Sequence, residues 1–265
     1  MTSSVIDAWK ANMRGIRVFL RRLTEHVKAQ NWTAVALDFI IVVVGILIAF
    51  QITAWGEQRA DRAKEALYLS ELVDDMNADL VEIGSIKRTA EIRMGALERI
   101  LALSGIDPRR TLSFDGVTHS FDPAPPFRSD DPYEANIQLT NTPDLDGSRE
   151  TFQALISTGD LGLIRNRALA RQIQTYYAEM TEANNLEGAA LSHAAMVKES
   201  RLRLGVSLTG RVTVEELGAL ASRDPRFRAE LETYWAGSAY QVRAMQSMRR
   251  TAEALIAAIK AEQRR

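Results

Sequence analysis

Between Val35 and Ile52 apolar residues follow one another almost without interruption, and on either side of that run they thin out to steps of three and four. An unbroken apolar stretch of about 20 residues matches the hydrocarbon core of a bilayer, so the pattern predicts a transmembrane helix over residues 34–55. The run holds about thirteen Leu, Ile, Val or Phe residues. At roughly −0.3 to −0.6 kcal/mol each they favour insertion by about 4 to 8 kcal/mol. Asp38 opposes this at about 3 kcal/mol for a central position, but it sits in the first turn, within reach of the headgroups. Trp32 and Trp55 bracket the run as interfacial anchors do. The alternatives are a buried helix of a soluble protein and a secretory signal. The second fits poorly, because a long polar and amphipathic stretch comes first and Ala54-Trp55-Gly56-Glu57 makes a poor cleavage site.

Ahead of the span, Ile6, Trp9, Met13, Ile16, Leu20, Leu23 and Val27 alternate in steps of three and four, with Lys and Arg filling the opposite face. Residues 1–33 therefore form a basic amphipathic arm, suited to an anionic leaflet or to a short parallel coiled coil. Behind the span, Leu69, Leu72, Met76, Leu80, Ile83, Ala90, Met94, Leu97 and Leu101 keep helical spacing. This predicts a long stalk helix over 56–104, about 70 Å if unbroken, with Gly84-Ser85 and Gly95 as places where it could bend.

Residues 105–147 break the rhythm with Pro, Gly, Asp and Ser, and six of the chain's seven prolines fall between Pro108 and Pro143. Within this insert, Leu112 and Phe114, then Asp115-Gly116, then Val117 and His119 read as a small β-hairpin. Asp144, Asp146, Gly147 and Glu150 invite comparison with a calcium loop. With Gly147 at the turn position, however, the first ligand would be Thr142 and the last Gln153, so the match fails, and Ser148 is expected to cap the next helix.

The helical bundle proper is expected over 148–265, packing with 56–104. It comprises a short helix ending at Ser157-Thr158-Gly159, a long one from about Asn166 to Leu204 burying Leu169, Ile173, Tyr176, Tyr177, Met180, Leu191 and Val197, a short one opened by the Thr213/Glu216 capping box, and a last long one opened by Asp224-Pro225. The fold class is all-α: one transmembrane helix prolonged into an elongated helical bundle, with one irregular Pro/Asp-rich insert.

Charge and composition narrow the function. The net charge of −1, with its basic cluster confined to the arm, argues against nucleic acid as a partner. With no cysteine, thiol chemistry is excluded. His26, His119 and His193 show no metal spacing, and no phosphate loop, nucleophile elbow or zinc-helix signature is present. No catalytic residue, cofactor or metal ligand is therefore assigned. Lys10, Arg14, Arg17, Arg21, Arg22 and Lys28 outnumber Arg59, Arg62 and Lys64, the basic residues among the twenty that follow Trp55, so the positive-inside rule places the N-terminus in the cytoplasm and the C-terminal part outside it. Asp38, Val42, Gly45, Ala49 and Thr53 share one face of the span. Gly45 and Ala49 make a small-xxx-small pair, which fits either helix association through Asp38, Gly45, Ala49 and Thr53 or chance spacing.

The run Leu37-Asp38-Phe39 through Phe50-Gln51-Ile52-Thr53-Ala54-Trp55, with Tyr68-Leu69-Ser70-Glu71-Leu72 after it, and the block Thr151-Phe152-Gln153-Ala154-Leu155-Ile156-Ser157-Thr158-Gly159-Asp160-Leu161-Gly162-Leu163-Ile164-Arg165-Asn166 with Tyr176-Tyr177, resemble an uncharacterised family of bacterial single-pass membrane proteins. The resemblance covers about residues 35–260 and implies placement in the inner membrane, with no activity attached. Members often carry Asn where Thr53 and Ala54 stand here. If such proteins hold a ligand or partner, Ser157, Thr158 and Gly159 are the first place to look, with Arg165, Arg167 and Arg171 as a candidate anion cluster.

Three functions follow from these readings. The first is a membrane-anchored interaction or scaffold protein whose partners are membrane lipid and either a second copy or an envelope protein. The second is a single-span sensor-like module with a small ligand in its bundle. A hydrolytic enzyme using carboxylates from distant segments is the third.

Overall fold

The computed structural model describes residues 32–107, 111–114, 117–128, 131, 133–143, 145–208 and 211–264. The amphipathic arm, apart from its last two residues, and the Asp115-Gly116 turn lie outside them. Among the described residues the chain is all-α but for one small hairpin, and it divides into two units after Asp61. Helix α1, Trp32–Leu103, contributes to both.

In the first unit, each described residue from Thr33 to Asp61 is helical and exposed, save half-buried Val43. The helix carries a window with a mean hydropathy of 2.7, none of it buried, and is long and apolar enough to cross a membrane.

The second unit is built on the remainder of α1. After it come strands β1 (Thr111–Phe114) and β2 (Val117–Ser120), then helices α2 (Glu134–Gln138) and α3 (Glu150–Ser157) and a 3-10 turn at Asp160–Leu163. Helices α4 (Arg167–Arg203), α5 (Val214–Arg223) and α6 (Pro225–Glu262) complete it. The strands pair antiparallel, Thr111 opposite Ser120 and Phe114 opposite Val117, which is the register a two-residue loop demands. Helices α4 and α6 run antiparallel, since Asn166 at the start of one donates to Glu262 at the end of the other (2.8 Å), and Arg203 pairs with Asp224 (2.7 Å) at the opposite end.

Helix starts follow the expected chemistry. Thr213 and Glu216 complete a capping box, Asp224 accepts from Phe227 N–H with Pro225 in the first turn, and Asn166 accepts from Ala168 and Leu169 N–H. Ser148 departs from it. Arg149 occupies the cap position of α3 without a side-chain bond, and the Ser148 N–H turns to Asp79 on α1 (2.7 Å). Gly84 and Gly95 leave α1 unbroken, and Leu191, expected inside, is 46% exposed.

Two apolar cores lie one after the other along α1. The first gathers Leu72, Met76 and Ile83 with Leu155, Ile173, Tyr176, Met180, Met248 and Ile259. The second gathers Leu97, Ile100 and Leu101 with Leu139, Leu217, Phe227, Leu231, Tyr234 and Trp235. Gly218 of α5 lies close against the end of α1, where a Cβ would stand 2.6 Å from Leu103 Cβ.

Candidate functional site

Residues 157–166, the turn singled out in the sequence, are fastened to α1 and α6. Gly159 adopts φ +76°, the left-handed conformation glycine takes without penalty, and so ends α3. Next to it the Asp160 carboxylate receives Lys64 (2.6 Å) and the Tyr68 hydroxyl (2.9 Å), while Thr158 Oγ1 lies 2.7 Å away. These bonds, led by Lys64, hold the Asp160 carboxyl down to about 2. Arg165 gives its backbone N–H (2.9 Å) and Nε (3.0 Å) to the two oxygens of buried Glu65.

Of the candidate anion cluster, Arg165 is thus neutralised by Glu65, and Ser157 is turned back onto Ala154 O (3.1 Å). Arg167, at the first turn of α4, and Arg171, one turn on, are both exposed. A cleft of about 670 Å³ beside the turn is lined by Arg62, Glu65, Arg165, Asn166 and Glu262, with both signs of charge present. Arg171 instead faces a groove of about 700 Å³ between α4 and α6, together with Arg250, Thr175 and Thr251 and with no acidic residue in its lining.

In the apolar part of α1, Gly45 has open space where a Cβ would go, and the Thr53 hydroxyl donates to Ala49 O (3.0 Å) within its own helix. Asp38 and Ala49 are exposed, and Arg59 stands 5.7 Å from the ring centre of Trp55. The Trp32 side chain is outside the described residues.

Two buried polar groups escaped the sequence reading. Asp79, 1% exposed, accepts from Ser148 N–H and from the Tyr176 hydroxyl (2.6 Å), while Glu82 takes the N–H groups of Asp146 (2.9 Å) and Gly147 (3.0 Å). The loop before α3 thus aims successive backbone donors at two carboxylates of α1, in place of the cap expected from Ser148. Burial pushes the Asp79 carboxyl up, against the pull of Ser148 and Tyr176. Tyr176 and Tyr177 are also pushed up by burial. Gly147 has φ +62°, but it turns against Met180, with no room for a Cβ.

The other buried group is Arg93, fully buried, which donates to Ser238 Oγ (2.9 Å), Asn141 O (2.9 Å) and Gln241 Oε1 and lies 5.0 Å from the Tyr234 ring centre. Every acceptor is neutral. Nearby His193 is packed so tightly on Gly237 that a Cβ there would collide with its ring, and its Nδ1 is without a hydrogen-bond partner. Burial and then the Arg93 charge hold the His193 pKa below its ordinary value. The only sequence signal for this group was a charged residue inside the apolar stripe of α1, between Ala90 and Leu97. Among the described residues, no three His, Asp or Glu side chains lie close enough to share a metal ion.

A third feature lies in the insert. From Phe121 to Arg128 the chain has neither helix nor strand, and its exposure repeats every third residue, with Phe121, Ala124 and Phe127 turned to the second core. Phe121 meets Tyr240 (5.1 Å between ring centres) and Trp235 (6.3 Å) edge-on. Glu98 Oε1 receives both Trp235 Nε1 (3.1 Å) and Ala124 N–H (3.3 Å). Where this strap crosses α1, a Cβ on Gly95 would stand 2.6 Å from Pro125 O. Gly95 therefore permits a close crossing, where the sequence had suggested a bend.

Compared with known proteins, the chain matches no protein-family model, no curated protein and no solved structure.

Proposed function

We propose that this chain is a membrane-anchored interaction protein of the bacterial envelope, whose bundle presents a binding surface on the far side of the inner membrane. One observation carries this reading: the apolar helix from Thr33 onward finds no protein to cover it, while the unit from Arg62 onward closes two cores of its own. Soluble monomers rarely leave so large a contiguous apolar surface bare, and lipid is the covering that fits a run of this length. The excess of Lys and Arg before the span supports a cytoplasmic N-terminus, and the resemblance to an uncharacterised bacterial single-pass family supports the same placement.

The test is a full-length chain expressed in cells with a C-terminal alkaline phosphatase, combined with alkaline carbonate extraction of membranes. The expected result is an active phosphatase and a chain that stays with the membrane pellet. An inactive phosphatase reverses the orientation, and release into the supernatant removes the span.

A second reading, a sensor-like module, is favoured by the α4/α6 groove with Arg171 and Arg250, which offers two guanidinium groups and no carboxylate. Inorganic phosphate should then raise the melting temperature of the full chain, and Arg171→Ala should abolish that rise.

A further inference from the structure

We propose that the Phe121–Arg128 strap is a preformed polyproline II ligand, and that the partner it fits is a protein domain with a groove of stacked aromatic rings and an acidic group at its end. The inference rests on the interaction-protein reading and names the surface and the kind of partner.

The conformation follows from the residues. Pro123, Pro125 and Pro126 lock their own φ near −65°, and a following proline drives Asp122, Ala124 and Pro125 out of the helical region. Asp122, Ala124 and Pro125 are thereby confined to extended or polyproline II backbone, and Pro123 and Pro126 have φ near the polyproline II value; such a backbone turns once every three residues. The exposure pattern has that period, with one edge (Phe121, Ala124, Phe127) inward and two edges outward. One outward edge carries Pro123 and Pro126, the other Asp122, Pro125 and Arg128.

Closing the second core needs only the inward edge. The outward edges form a Pro-x-x-Pro-x-Arg array, the arrangement that aromatic grooves read in polyproline II ligands, with a basic residue beyond the second proline. The site is also accessible, because clefts of about 430 Å³ and 540 Å³ adjoin the two ends of the strap. Anchoring at Gly95, Glu98 and Trp235 holds the backbone in the bound shape beforehand, which lowers the ordering cost that a flexible peptide would meet.

The probe is a purified SH3 domain first selected for binding a synthetic peptide of residues 119–130, titrated against the full-length chain in detergent micelles. Saturable binding is expected, at least as tight as to the free peptide. Pro123→Ala combined with Pro126→Ala, and separately Arg128→Glu, should each weaken it ten-fold or more while leaving the melting temperature unchanged, since all three side chains are exposed. Gly95→Ala, which displaces the strap from α1, should reduce binding to the level of the free peptide. The proposal is overturned if the peptide binds and the folded chain does not, or if the chain binds equally well with the prolines removed.

In cells, a photo-crosslinking residue at Asp122 is compared with one at Gln172 on α4. A product from Asp122 that disappears in the double proline variant supports the strap. Products from Gln172 alone overturn the strap and leave the interaction reading standing; products from neither position count against both.

Discussion

The two cores along α1 are closed by different means. Around the first, charge is paired with charge or with backbone dipoles: Glu65 with Arg165, Lys64 with Asp160, and Asp79 and Glu82 with the N–H groups of residues 146–148. Around the second, the buried Arg93 guanidinium is held by neutral groups, Ser238, Gln241 and Asn141, and a proline-rich aromatic strap covers the core. The difference teaches where each end is vulnerable. The exposed members of these pairs, Lys64 and Arg165, lose little when removed, because water takes their place. A buried guanidinium and its acceptors cannot recover in that way.

The sharpest test of this contrast is Arg93→Ala, expected to cost about 3–5 kcal/mol because it orphans buried acceptors and opens a cavity. In a chain of this size that lowers the melting temperature of the full-length protein by roughly 10 °C. Arg93→Met, which fills the space, should recover about half of the loss. Equal losses from both variants would mean that the polar bonds decide the second core and that packing volume does not; full recovery in Arg93→Met would mean the reverse.

Gly95→Ala comes next, at about 1–3 kcal/mol, since a methyl group must displace the Pro125 carbonyl. Chemical denaturation should show this loss, and Gly84→Ala, which has open space, should show none. Smaller again is Glu65→Gln, at about 1 kcal/mol, because Arg165 is largely exposed and its bonds to residue 65 are only weakened.

Acid should separate the two ends by the pH at which each responds. His193 has a lowered pKa in the folded chain, so the unfolded chain binds more protons and stability falls as pH drops below about 6.5. Asp160 has its pKa depressed from 3.8 to about 2, so its contribution is intact above pH 3.8 and is lost as pH falls through about 2. Asp79, raised by burial, moves the other way: its strain is relieved as pH falls toward its folded value. Hydrogen exchange followed from pH 7 to about pH 2 should therefore show protection lost first around α6 near Gly237, below about pH 6.5, and around Gly159 only below pH 3.8. His193→Gln should flatten the first change. Simultaneous loss at both ends would mean that the cores unfold as one.

Much of the architecture was legible because it is local. Asn166, Thr213 and Asp224 cap their helices from within a few residues, Gly159 ends α3 by its own backbone freedom, and the apolar spacing of α1, α4 and α6 is read along one helix at a time. The candidate turn was legible as a turn. That its Arg165 is neutralised by Glu65 was not, since the partners are 100 residues apart. Ser148 misled for the same reason, because Asp79 competes for its backbone N–H from another helix. Leu191 kept helical register but emerged exposed, since the buried face of α4 runs through its neighbours Ala190 and Ala194.

By itself, the sequence determined the apolar run from Val35 to Ile52, the helices and their caps, the hairpin register and, through three prolines, the backbone of the strap. Each of these depends on interactions between residues close in the chain. Only the tertiary structure decided which edge of the strap faces the core, why Gly95 must be glycine, and that Arg93 is buried without a carboxylate. Those outcomes depend on which surfaces meet across long sequence separations, and no pattern confined to one segment carries that information.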